Sequence, residues 1–99
     1  MSRFRLSAAA KTDLRDIWRY VARDNPAAAD RLLDAIYSRC RLLTTQPLLG
    51  EAAGDLQPGL RRTIVGSYLV FYEVLPGCIR VVRVIHGARN VRGLFPDQP

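Results

Sequence analysis

Apolar residues recur along this chain with two different periods. From Ala8 to Arg23, the residues Ala10, Leu14, Ile17 and Val21 fall at spacings of four, three and four, and Trp18 widens the stripe. That spacing predicts an amphipathic helix, with Asp13, Arg15, Asp16, Arg19 and Arg23 on its polar face. Ser7 supplies a hydroxyl acceptor for its N-cap. Asn25 ends this helix because it precedes Pro26, and the same pair suits the cap and first turn of a second helix. Ala29, Leu33, Ile36, Cys40 and Leu43 carry the second helix to about Leu43, flanked by Leu32 and Tyr37. A link this short folds the two helices into an antiparallel hairpin.

The stretch "QPLLGEAAGDLQPGL" holds Pro47, Gly50, Gly54, Pro58 and Gly59 and predicts no regular element. Beyond it the period becomes two. Arg62–Val65 reads as a strand, and Gly66-Ser67 as a two-residue loop of the type II′ kind. Tyr68–Leu75 is apolar on both faces, as a central strand is. Pro76-Gly77 turns the chain again, and Cys78–His86 forms the last strand. Phe4–Leu6 predicts a short strand ahead of the helices, and the tail "GARNVRGLFPDQP" is expected to fray. The order β-α-α-β-β-β predicts an α+β fold of one domain over residues 1–99. A helical hairpin would cover one face of a four-stranded antiparallel sheet.

Composition narrows the function classes. The chain has 99 residues and is 48% hydrophobic and 24% charged, which suits one modest core. Lys and Arg outnumber Asp and Glu by 15 to 9, and all but Lys11 of the cations are Arg. An anionic partner follows, either an acidic protein or nucleic acid. Cys40 and Cys78 belong to no CxxC and read as reduced thiols. No run approaches a membrane span and the start has no secretory pattern, so a cytoplasmic protein is expected.

Candidate chemistry gathers around "RVVRVIHGARN". Alternation puts Ile79, Val81, Arg83 and Ile85 on one face of the last strand, so Arg83 interrupts an apolar row. Snorkelling to the sheet edge or pairing with Glu73 on the neighbouring strand is one resolution, and phosphate binding in a cleft is the other. His86 is the only histidine. Proton transfer at a phosphate would need a partner group beside it, and none is evident. Asp13 and Asp16 fall on the solvated helix face. No metal set, phosphate loop or nucleophile motif is present, so no metal or cofactor is expected.

Four segments together resemble the ParE branch of the RelE/ParE toxin superfamily, the plasmid-stabilisation toxins. They are "LSAAAKTDLRDIWRYVARDNPAAADRLLDAI", "QPLLGE", "LRRTIVGSYLVFYEV" and "IRVVRVIHGARN". The resemblance spans Phe4 to Phe95. It implies a non-enzymatic toxin that inhibits DNA gyrase until a ParD-like antitoxin binds. The RelE branch, which cuts mRNA on the ribosome, is the alternative. Its catalytic cations would correspond to Arg61 and to Arg83 or Arg89, with His86 acting on the proton. Tyr68 and Leu69 stand where that branch places an Arg, and no Tyr follows His86. Direct nucleic-acid contact is therefore the lesser expectation. An amphipathic antitoxin segment is expected along the helical hairpin, at Leu14, Trp18, Arg19, Arg23, Arg31 and Tyr37, with Arg39 as a further cation. The target is expected at the tail, where Arg89 and Arg92 precede an exposed pair, Leu94 and Phe95. The competing reading folds Leu94 and Phe95 back onto the hairpin.

Overall fold

The computed structural model describes residues 3–89 and 91–95, except for the side chains of Arg3 and Arg92. Strand β1 (Arg3–Leu6) leads into helices α1 (Ala8–Ala22) and α2 (Pro26–Thr45). Strands β2 (Glu51–Ala52), β3 (Leu60–Val65), β4 (Tyr68–Leu75) and β5 (Cys78–His86) follow, and a 3₁₀ turn spans Val91–Leu94. Both helix starts are capped as their residue types require. The Ser7 hydroxyl accepts the Ala10 N–H at 3.0 Å and donates to the Val82 carbonyl at 2.8 Å, which ties α1 to β5. The Asn25 side-chain oxygen accepts the Ala28 N–H at 3.0 Å, with Pro26 in the first turn.

The sheet order is β1-β5-β4-β3-β2, with β4 in the middle. Two expectations need correction. The sheet has five strands, because Glu51 and Ala52 pair with Arg62 and Arg61 inside the stretch read as irregular. It is also mixed, since β1 runs parallel to β5. The two short turns form as expected. Gly66 has φ +59° while Ser67 stays at negative φ, as a type II′ loop demands, and Gly77 has φ +73° after Pro76.

The alternation assumed for β5 fails at a bulge. Tyr72 faces Val81, but the next residue back, Phe71, faces Arg83, so Val82 has no partner in the register. The face carrying Ile79 and Val81 therefore continues with Val84, not with Arg83 and Ile85.

Each face of the sheet has its own core. Beneath the helices, Ala10, Leu14, Ile36, Cys40 and Leu43 pack on Val70, Tyr72, Ile79, Val81 and Val84. On the opposite face, Phe71, Ile85 and Leu60 are covered by Ala53 and Leu56 of the loop and by Phe95 of the tail. The tail is thus part of the fold. Phe95 is only 7% exposed and meets Phe71 edge-on, with ring centroids 5.0 Å apart. This corrects the expected exposure of Phe95, and it corrects the folding-back alternative too, because the tail packs on the face away from the hairpin. Leu94 is half-buried in the same cluster, and the Arg92 side chain lies outside the described residues. Among the described residues, no helix is long and apolar enough to cross a membrane.

Candidate functional site

Where α1 passes the end of the sheet, an open cleft of about 550 Å³ separates them. Asp16, Ile17 and Tyr20 border it from α1, Tyr68 and His86 from the sheet, and Arg89 from the turn after β5. Strand β5 ends at His86, on the sheet side of the cleft. His86 and Tyr68 are register partners, and their rings meet edge-on at 5.2 Å. Burial pushes the Tyr68 phenol above its ordinary pKa, and the neighbouring Tyr20 adds to that. The His86 Nδ1 accepts the Ala88 N–H at 3.1 Å, so this imidazole caps the turn that follows its strand.

Arg83 is not paired with Glu73, which lies opposite Arg80 and forms an ion pair with it at 3.5 Å. Instead the guanidinium of Arg83 grips Asp13 on α1 with two bonds of 2.8 and 2.9 Å. The Asp13 carboxylate also accepts the Val84 N–H at 2.9 Å. Asp13 therefore faces the sheet, with its side chain 13% exposed, and is not on the solvated face. The arrangement clamps α1 to β5 at the bulge and raises the Arg83 pKa, first through the Asp13 hydrogen bonds.

Arg61 is occupied elsewhere. It donates to the Leu48 carbonyl at 3.1 Å, and its Nε and Nη2 both reach the Gly50 carbonyl. Arg61 lies opposite Tyr72 on β4, and His86 lies opposite Tyr68. Four residues of strand, about 13 Å, separate those two levels. So His86 and Arg89 border the cleft, Arg83 is bound to Asp13, itself a cleft residue, and Arg61 does not join them. Among the described residues no three His, Cys, Asp or Glu side chains converge as metal ligands.

The hairpin residues divide by exposure. Leu14 is buried in the helix-face core and is unavailable to a partner, which corrects its place in the expected contact set. Arg19, Arg23 and Arg31 are exposed. Trp18 is half-buried, and its indole N–H donates to Asp30 at 2.8 Å, bridging the two helices. Tyr37 is half-buried against Phe4, with ring centroids 6.0 Å apart. Arg39 donates to the Thr63 hydroxyl at 2.7 Å. Tyr20 was missed, yet it is 68% exposed beside His86. Its signal was present in the sequence as a large aromatic residue off the apolar stripe.

Comparison with known proteins adds the following. Residues 4–91 match the model of the ParE toxin of the type II toxin–antitoxin system parDE. Toxin ParE1 of Caulobacter vibrioides is 34% identical over 94 residues, covering 93% of this chain and 96% of the relative. Toxin ParE1 of Mycobacterium tuberculosis is 34% identical over 92 residues, covering 91% and 94%. A solved structure described as a chromosomal ParDE toxin–antitoxin system from P. aeruginosa superposes with a TM-score of 0.71 at 20% identity. It covers 87% of this chain and 96% of its own, a likeness of fold.

Proposed function

The chain belongs to the ParE toxin family of type II toxin–antitoxin systems, and on that premise we propose that it arrests DNA gyrase in the cytoplasm by binding, and that a ParD-like antitoxin neutralises it. The observation that favours binding over catalysis is the state of the candidate cations. Arg83 is engaged by Asp13, Arg61 by two backbone carbonyls, and His86 by the Ala88 N–H. A metal-independent nuclease needs a proton-transfer pair and free cations around one phosphate. Here Arg89 is the candidate with a guanidinium open to a ligand, at the mouth of the cleft.

The antitoxin is placed on the helical hairpin, where Trp18 and Tyr37 offer partly covered aromatic surface beside Arg19, Arg23 and Arg31. Cations around an apolar seat favour an acidic amphipathic segment and salt-sensitive association. The target is placed at the cleft, with Arg89 as a contact. Phe95 is withdrawn from that role because it is core.

A supercoiling assay with purified gyrase tests the proposal. The expected outcome is inhibition with trapped cleaved DNA, relieved when the protein encoded beside this chain is added first. His86→Ala should leave inhibition intact, whereas loss of a catalytic proton donor lowers a rate by about 10²-fold or more. Ribosome-dependent mRNA cleavage that His86→Ala abolishes, with an unchanged circular dichroism spectrum, would overturn it in favour of RelE-type catalysis.

A further inference from the structure

The far edge of the sheet carries a feature that neither the cleft nor the helical hairpin accounts for. Strand β2 is two residues long and pairs only with Arg61 and Arg62. Past it, β3 continues through Thr63, Ile64 and Val65 with no neighbouring strand on that side among the described residues.

Ladder alternation says which backbone groups are left over. The Gly66-Ser67 loop is closed by the pair Val65 and Tyr68, whose N–H and C=O groups face each other. Residues at odd positions of β3 therefore bond to β4, and Leu60, Arg62 and Ile64 point off the sheet. The Ala53 N–H takes the Leu60 carbonyl at 2.8 Å, consistent with that parity. Glu51 lies opposite Arg62. The N–H and C=O of Ile64 are left pointing outward at an edge. Proteins usually blunt such an edge with a charge, a proline or a bulge. Here it carries a β-branched hydrophobe with 62% of its surface exposed.

Ile64 borders a shallow recess of about 250 Å³ that it shares with Leu49, Gly50, Arg39 and Arg62. Leu49 is 51% exposed, yet its loop is held firmly. The buried Tyr72 hydroxyl accepts the Gly50 N–H at 3.0 Å and donates to the Pro47 carbonyl at 2.7 Å, and Arg61 takes the carbonyls on either side of Leu49. A Cβ on Gly50 would lie 2.5 Å from the Tyr72 oxygen and 2.6 Å from the Arg62 carbonyl, so only glycine fits there. An apolar surface presented on a fixed backbone loses little entropy when it is covered.

We propose that the β3 edge at Ile64 is a docking site for an extended, acidic segment of a partner protein, which adds to the sheet alongside β3 past the end of β2. Backbone pairing to Ile64 supplies the register, and apolar side chains of the segment cover Ile64 and Leu49. Charge selects the occupant. Arg39 meets the edge from the helix face, where it spends one bond on Thr63 and keeps further donors for the carboxylates that alternate away from Ile64, while Arg62, on Ile64's own face, is paired with Glu51. A second copy of this chain, paired edge to edge, would instead bring these arginines against their own counterparts. The site lies on the outer edge of β3, apart from the cleft, which borders Tyr68 of β4 and His86 of β5, and it does not depend on gyrase being the target.

The test uses the full chain labelled with ¹⁵N and two synthetic octapeptides of alternating valine and glutamate or valine and lysine. The glutamate peptide should bind saturably, shift the Ile64 amide and weaken as salt rises. Ile64→Glu, at an exposed position, should reduce affinity about tenfold or more with an unchanged circular dichroism spectrum, while Ile64→Thr retains the strand and loses less. Methylating alternate peptide nitrogens should weaken binding as well. Equal binding of the lysine peptide, or shifts confined to the His86 cleft, would overturn the proposal. So would concentration-dependent self-association that Ile64→Glu abolishes, because the occupant would then be a second copy.

Discussion

On one face of the sheet two helices of 15 and 20 residues cover the strands; on the other, a loop around Ala53 and Leu56 and a four-residue 3₁₀ turn do the same work. Each helix satisfies its own backbone and brings a whole stripe of side chains to the core. The loop has only scattered internal bonds, such as Leu56 N–H to Ala53 and Leu60 N–H to Gln57. Its cover therefore depends on a few large side chains, Phe95 above all. A face closed by regular elements spreads its stability over many residues. A face closed by loops concentrates it in few.

The largest expected effect breaks that second face. Phe95→Ala should cost about 3–5 kcal/mol, because the ring is buried against Phe71 and nothing regular can collapse into its place. For a domain of this size the melting temperature should fall by at least about 12 °C. Calorimetry decides the matter, and a loss below about 1 kcal/mol would mean the tail is no part of the core. The same variant tests function separately, since a role confined to the core predicts that gyrase inhibition survives at temperatures where the variant is folded.

How much of this was legible follows from the same contrast. Both helices, their caps and the limits of β4 and β5 could be read because periods of 3.6 and 2, a Ser7 cap and Gly66-Ser67 each have one local cause. The second core could not. Its cover comes from residues such as Ala53 and Phe95, whose positions carry no period and depend on the sheet beneath. Arg83 was misassigned for a related reason. The Pro76-Gly77 turn sets Glu73 opposite Arg80, not Arg83, and the partner Arg83 takes instead, Asp13, lies 70 residues away on α1, where strand alternation gives no sign of it. That Tyr20 and His86 border one cleft was hidden because they lie on elements far apart in the chain.

The next effect probes the helix face through pH. Cys40 is fully buried there, and burial raises its thiol from 9.0 to about 11. The unfolded chain therefore releases this proton at lower pH than the folded one. Between pH 9 and 11 the unfolded state binds fewer protons, so stability falls as pH rises, and below pH 9 the contribution is complete. Two units correspond to roughly 2–3 kcal/mol. Cys40→Ala should flatten the decline in urea-derived stability between pH 9 and 11, on top of a pH-independent loss for the missing sulfur. An unchanged slope would show that the thiol does not sense the core.

The smallest effect lies where the two faces are joined. The Tyr72 ring belongs to the helix-face core, but its hydroxyl reaches out to hold Pro47 and Gly50 of the loop that leads to β2. Tyr72→Phe keeps the ring and removes both bonds, leaving a buried Gly50 N–H without its acceptor. An orphaned buried donor costs about 1–3 kcal/mol, and the lower end applies because Arg61 still grips the Gly50 carbonyl. The global loss should be near 1 kcal/mol, whereas the local one should be plainer. Amide exchange at Gly50 should accelerate, and cleavage by a leucine-preferring protease at the exposed Leu48 and Leu49 should speed up with it. Because that loop forms one wall of the recess at Ile64, binding of the glutamate peptide should weaken too. A Gly50 amide that exchanges as slowly as before would mean that Arg61 alone fixes the loop, and the phenol would then serve the core only through its ring.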